Sequence, residues 1–276
     1  MKLQSEWVDF DAGGKPAQGY STRPAMAKGP LPGLVVIQEV FGVDPHIQDI
    51  ANRLAMAGYA VFAPDLYTYG GRRPELAPQR IEDVKAFLDT MPTPSWFDNA
   101  KLEEGLARYP EAQARSFRET LGTLLDPNRP WPDYLATVKG GREWLSHGPA
   151  KGREVGALGF CMGGSLALRL ASADAQVAAV ATCYGFTPPQ ETLTHLKAPV
   201  LGLYAEDDAR VNGSVPALVD LTKEKGVPYE RHTFAGAKHA FLNDTRSNYD
   251  AEAARGAWAK LLTFFDARLS PRERAV

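Results

Sequence analysis

The stretch Gly159-Phe160-Cys161-Met162-Gly163-Gly164 sets a cysteine among glycines, two residues before it and two and three after. It follows the apolar run Val155-Gly156-Ala157-Leu158 and leads into Ser165-Leu166-Ala167-Leu168-Arg169-Leu170. This reads as a strand turning sharply into a helix, with Cys161 at the apex. Such a bend needs glycines, because the two backbones must approach without a Cβ between them. A sulfur at the apex projects from the sheet edge, and the helix start supplies a partial positive charge that favours a thiolate. The spacing is that of a Gly-x-Ser-x-Gly nucleophile elbow with Cys for Ser. Taken alone, the stretch reads more simply as a glycine-rich turn carrying a structural cysteine, so the residues around it must decide.

A free thiol titrates near ~8.5 and is mostly protonated at neutral pH, so a nucleophilic Cys161 needs a base within reach. In open α/β sheets such groups gather beyond the carboxyl ends of the strands. Three places qualify: Glu39 after Leu34-Val35-Val36-Ile37, Asp207-Asp208 after Val200–Tyr204, and His239 in the loop after Tyr229–Phe234. His239 is the expected base. An acid on its other ring nitrogen fixes the tautomer and stabilises the imidazolium. Asp208 is chosen over Asp207 for that role because Ala209-Arg210-Val211 follows it. The backbone N–H groups of Met162 and Val40 stand where an oxyanion needs donors. Glu39 in an apolar setting is costly without a partner. His46, His147, His195 and His232 read as structural or surface residues.

The elements that position these groups follow from pattern. Residues 5–11 and 18–21 around Gly13-Gly14 read as an N-terminal hairpin. Leu34–Ile37 is a continuous β-branched run of the sort buried on both faces. Ile47, Ile50, Ala51 and Leu54 then give a helical face closed near Gly58, and Tyr59–Ala63 is the next strand, which completes a β-α-β unit. Between Leu66 and about Arg129, Pro74, Pro78, Pro92, Pro94 and Pro110 break up short helical pieces at Ile81–Leu88 and Ala112–Leu125. We read 66–129 as a helical cap or lid inserted in a single domain spanning 1–276. Trp96, Phe97, Tyr109 and Trp131 are its candidate pocket aromatics. A helix over Pro132–Leu145, strands at Val177–Thr182, Val200–Tyr204 and Tyr229–Phe234, and helices at 214–224 and Asp250–Leu269 complete the chain. Alternating strands and helices indicate an α/β fold with a doubly wound, mostly parallel sheet flanked by helices.

Composition excludes other classes. The 31 Lys and Arg nearly cancel the 33 Asp and Glu, so no global field points to nucleic acid or an anionic membrane. Hydrophobic residues at 44% and charged residues at 23% are the balance of a globular protein. Cys161 and Cys183 make no disulfide framework, and neither Cys-x-x-Cys nor His-Glu-x-x-His occurs, so no metal site is expected. Met1–Trp7 lacks the apolar segment of a signal peptide and no apolar run is long enough for a bilayer. A cytoplasmic protein, monomeric or homodimeric, without a membrane or nucleic-acid partner, is the expectation.

Five stretches carry a resemblance: Val36-Ile37-Gln38-Glu39-Val40-Phe41-Gly42, Gly58–Tyr67, Gly159–Gly164, Asp208-Ala209-Arg210-Val211 and His239-Ala240-Phe241. With them the chain resembles the dienelactone hydrolase family of α/β-hydrolases, whose nucleophile, acid and histidine occur in this chain order. The resemblance implies Cys161, Asp208 and His239 as a triad. It implies Glu39 as a fourth member that contacts the thiol at rest and accepts its proton when substrate binds. It further implies hydrolysis of a small ester or lactone through an acyl-cysteine, without metal or organic cofactor. The family carries a substrate-holding Arg four residues after the histidine, where this chain has Asn243, with Arg246 nearby. Arg246, Trp96 and Phe97 are therefore the candidate substrate contacts. Two rival readings remain: a non-catalytic small-ligand-binding protein of this fold, and a thioesterase, acyltransferase or serine-type enzyme, although Ser165 lies a turn into the helix.

Overall fold

The computed structural model describes residues 2–270. Each buried run becomes a strand of one sheet: β1 (Leu3–Asp11), β2 (Pro16–Pro24), β3 (Gly33–Ile37), β4 (Ala60–Pro64), β5 (Val155–Phe160), β6 (Val177–Cys183), β7 (Val200–Asp207) and β8 (Tyr229–Lys238). Their order is β1-β2-β4-β3-β5-β6-β7-β8. Only β2 runs against the others, pairing antiparallel with both β1 and β4, while β4-β3-β5-β6-β7-β8 are parallel. The fold class is the one expected.

The period of two explains the layers. Leu34 and Val36 face the core shared with α1 (Pro45–Met56) and α9 (Ala251–Leu269). Val35 and Ile37 face the opposite core, formed with α5 (Trp131–His147), α6 (Met162–Ala173) and α8 (Val215–Lys225). Ile47, Ile50, Ala51 and Leu54 of α1 are all buried, as their spacing predicts. Each large aliphatic side chain so buried contributes roughly 1.5–3 kcal/mol. Asp44 starts α1: its Oδ1 accepts from the Ile47 N–H at 3.0 Å, with Pro45 in the first turn.

Residues 66–129 lie between β4 and α5 and hold α2 (Pro78–Leu88), α3 (Asn99–Leu106), α4 (Glu111–Leu124) and short 3₁₀ turns, one of them at Thr93–Phe97. The prolines do more than interrupt. Pro78 opens α2 and Pro110 immediately precedes α4, positions where the absent N–H costs nothing. Ile81, Val84, Phe87, Phe117 and Leu121 pack into the same core as α5 and α6. Tyr109, a candidate pocket aromatic, instead packs edge-on against Phe87 and Phe117 within this segment. Trp131 opens α5 beneath the Arg169 guanidinium. Lys85 of α2 reaches Asp44 Oδ2 at 2.6 Å, a buried ion pair joining this segment to the start of α1.

Several elements exceed their expected bounds. The hairpin strands are nine residues each. Strand β8 continues through Ala235–Lys238, expected as loop, because β7 also continues and Asp207 pairs with Lys238 beyond a register shift. Helix α3 and the short α7 (Ala209–Asn212) carry too few apolar positions to show a period.

Candidate active site

The chain leaves β5 at Phe160 and enters α6 at Met162, so one residue makes the turn. Cys161 adopts φ +52° and ψ −117°, a region that non-glycine residues rarely occupy and that persists only where its surroundings enforce it. Two backbone bonds enforce it here. The Cys161 N–H donates to Cys183 O and the Gly164 N–H donates to Cys161 O, both at 3.0 Å. The glycines are steric requirements. A Cβ on Gly159 would overlap Gly163 O, and one on Gly163 would overlap Gln38 O and Ile37 O. The thiol is partly accessible, while Cys183 is fully buried.

Asp208 directly follows β7 and His239 directly follows β8. Asp208 Oδ2 lies 2.5 Å from His239 Nδ1, whereas Asp207 faces solvent. The geometry thus separates two acids that sequence alone left adjacent. A carboxylate on Nδ1 makes that nitrogen the donor and leaves Nε2 for a second partner. Burial pushes the His239 imidazolium down, but the nearby Cys161 sulfur and Asp208, through charge and hydrogen bonding, more than offset it. The ring titrates well above its ordinary range.

Glu39 is buried, and both of its oxygens are engaged. Oε1 accepts from the Tyr184 hydroxyl at 3.1 Å and Oε2 from Asn243 Nδ2 at 2.9 Å. Among the described residues Glu39 makes no hydrogen bond to Cys161. The carboxylate is held by two neutral donors, Tyr184 and Asn243. Tyr184 sits at φ +40°, and its ring meets His239 edge-on at 5.2 Å between centroids. Burial, and then the Glu39 charge, hold its hydroxyl well above the ordinary range. It is therefore a donor at any working pH.

The two expected oxyanion donors are oriented from different elements. Met162 opens α6, where the N–H has no intrahelical acceptor. Val40 follows Glu39, and its N–H bonds to no described residue. Its carbonyl accepts from the Tyr67 hydroxyl at 2.7 Å.

The candidate substrate contacts lie together. The Arg246 side chain is buried, its guanidinium stacked over Phe41 at 5.1 Å and Trp96 at 4.9 Å. Nη2 pairs with Asp89 Oδ1 at 2.9 Å, and Nη1 has no partner among the described residues. Trp96 donates Nε1 to Leu88 O at 3.1 Å. Phe97 is 56% exposed and lies under the Arg210 guanidinium at 4.3 Å. Sequence reading missed Tyr67, Tyr184 and Arg210. Tyr184 stands just past a strand end, which is a usable signal, but its backbone conformation is not encoded in any local pattern. No group of three or more His, Cys, Asp or Glu among the described residues is placed to hold a metal.

Comparison with known proteins identifies the family. The family model for the dienelactone hydrolase family matches residues 17–269. A Saccharolobus solfataricus protein assigned as a carboxymethylenebutenolidase is 28% identical over 258 residues, covering 93% of this chain and 96% of that one. Another so assigned, from Methylorubrum extorquens, is 31% identical over 260 residues, covering 89% and 75%. A crystal structure of a protein assigned as a dienelactone hydrolase from Klebsiella pneumoniae superposes with a TM-score of 0.72 at 25% identity, over 96% of this chain and 99% of that one. On the sheet order, the elbow and the extent of these matches, the chain is a hydrolase that belongs to the dienelactone hydrolase family.

Proposed function

We propose that this hydrolase uses Cys161 as the nucleophile on a small ester or lactone. The observation carrying the reading is the His239–Asp208 pair set beside a cysteine that is held in a strained apex conformation at a helix start. In the first half-reaction the sulfur, its proton already held on His239, attacks the carbonyl carbon. The tetrahedral oxyanion is met by the N–H groups of Val40 and Met162. Collapse breaks the C–O bond, and His239 returns the proton to the leaving alkoxide, which leaves an acyl-cysteine. Water, deprotonated by His239, then attacks the acyl carbon; the sulfur departs and is reprotonated, and the free acid is released.

Arg246, Trp96 and Phe97 are the proposed substrate contacts, supported by the buried, unpartnered Nη1 between aromatic faces. Glu39 is proposed to hold the site's resting arrangement through Tyr184. Cys161→Ala should lower turnover of short p-nitrophenyl esters or lactones by about 10³-fold or more. A panel of lactones, esters and thioesters run against that variant identifies the preferred class. Full turnover by Cys161→Ala would overturn the mechanism.

A further inference from the structure

The loop after β3 supplies Val40, and a loop is a poor holder of an oxyanion donor unless something fixes it. The peptide plane carrying the Val40 N–H lies between residues 39 and 40, and it is anchored on both sides. On one side the Glu39 carboxylate is bound by Tyr184 and Asn243. On the other, the Val40 carbonyl accepts from the Tyr67 hydroxyl at 2.7 Å. Tyr67 is itself rigid. It is buried in a 3₁₀ turn capped by Asp65, whose Oδ1 accepts the Tyr67 N–H at 3.0 Å and whose Oδ2 pairs with Arg72. The Thr68 hydroxyl donates to Asp65 O at 2.7 Å and accepts the Gln18 N–H at 2.8 Å, tying the turn to β2. The side chain of Gln38 adds a strut by accepting the Leu66 N–H at 3.1 Å. Its Nε2 has no hydrogen-bond partner among the described residues.

We infer that Tyr67 is a positioning residue for the oxyanion donor: its hydroxyl, held by the turn after β4, fixes the dihedral angles of Val40 and so aims the Val40 N–H. The inference rests on the cysteine mechanism proposed above. Burial keeps Tyr67 a phenol, and hence a donor, throughout the working pH range. Removing the hydroxyl leaves the thiol and the histidine untouched and frees only the loop peptide.

The experiment compares Tyr67→Phe with wild type by three readouts, using Tyr134→Phe as control. Tyr134 is a buried neighbour of the Tyr67 ring whose hydroxyl makes no hydrogen bond to the loop among the described residues. For Tyr67→Phe, kcat on a p-nitrophenyl ester should fall by about 10- to 50-fold with KM within about threefold; outright loss of an oxyanion donor costs about 10²–10³. Affinity for an aryl trifluoromethyl ketone, which forms a hemithioketal oxyanion on Cys161, should fall in the same proportion. The iodoacetamide alkylation rate should stay unchanged, because displacement at a saturated carbon makes no oxyanion. Counting one alkylated thiol per chain normalises each figure to folded protein, since Cys183 is fully buried. Tyr134→Phe should match wild type throughout. Unchanged kcat and ketone affinity in Tyr67→Phe, or a fall in alkylation that tracks kcat, would overturn the inference. If Cys161→Ala kept full turnover, the mechanism itself would fail instead, and the two failures are thereby distinct.

Discussion

At the scale of single residues the site is a set of proton holders arranged by their partners. His239 is held by Asp208 at 2.5 Å and is raised well above its ordinary range by Cys161 and Asp208 against the cost of burial. Such a group stabilises the fold most below the unfolded imidazole value of ~6.5, and this contribution fades as pH rises through the raised folded value. Asp208→Asn removes part of the pull. The expected outcome is a His239 imidazole signal that titrates lower by NMR, with a melting-temperature deficit larger at pH 6 than at pH 9. The loss in kcat/KM should be about 10³–10⁴-fold, as when a triad imidazole loses its carboxylate. Equal deficits at both pH values would show that the carboxylate does not hold the proton on the ring. The identity of these groups was legible because a cysteine between glycines, an Asp past one strand and a His past another are local signals. The partners of Glu39 were not, since Tyr184 and Asn243 come to it across 145 and 204 residues.

At the scale of elements the arrangement depends on close backbone approach and on one buried charge pair. The strand-helix bend admits no Cβ at Gly163, where Gln38 O and Ile37 O crowd the position. Gly163→Ala should therefore cost about 3 kcal/mol or more in urea unfolding, at the upper end for overpacking. A cost within 0.5 kcal/mol would contradict that contact. Lys85 and Asp44 are both buried, and Asp44 also caps α1. Lys85→Met leaves a buried carboxylate without its cation and should cost about 3–5 kcal/mol. Adding Asp44→Asn keeps an N-cap acceptor and removes the charge, so the double variant should recover most of the loss. Additive losses in the double variant would show that the pair is not coupled. The sequence displayed α1, β3 and the elbow because each has a strong period or a glycine signature. It concealed the Lys85–Asp44 pair because the two lie 41 residues apart and the intervening pattern gives no register. Likewise β8 outran its apolar alternation, since pairing with β7 extended it past the point where the pattern stops.

At the scale of the molecule, the carboxyl edge of the sheet presents loops that bear both the triad candidates and two arginines, and adjacent residues of the 66–129 segment sit on them. Trp96 lies against Arg246, seven residues beyond His239, and Phe97 lies against Arg210, two residues beyond Asp208. The two clasps differ in strength. The Arg246 side chain is buried and also pairs with Asp89 at the end of α2, whereas Arg210 and Phe97 are exposed, where a cation-aromatic contact is weak. Opening of this segment should therefore begin at Phe97 and be limited by Asp89. Deuterium exchange followed by mass spectrometry tests the order. In Arg210→Ala, amides over residues 93–106 should exchange about two- to fivefold faster, the change expected from losing one exposed cation–π contact. In Asp89→Asn the same amides should accelerate further, because Arg246 loses its carboxylate, while amides of β3, β5 and β6 keep wild-type rates in both variants. Acceleration spread evenly over the sheet would mean general destabilisation. Unchanged exchange in 93–106 for both variants would mean that the arginines do not hold Trp96 and Phe97 in place. The predicted pattern, local and graded, ties the hold on Trp96 and Phe97 to the loops that follow β7 and β8.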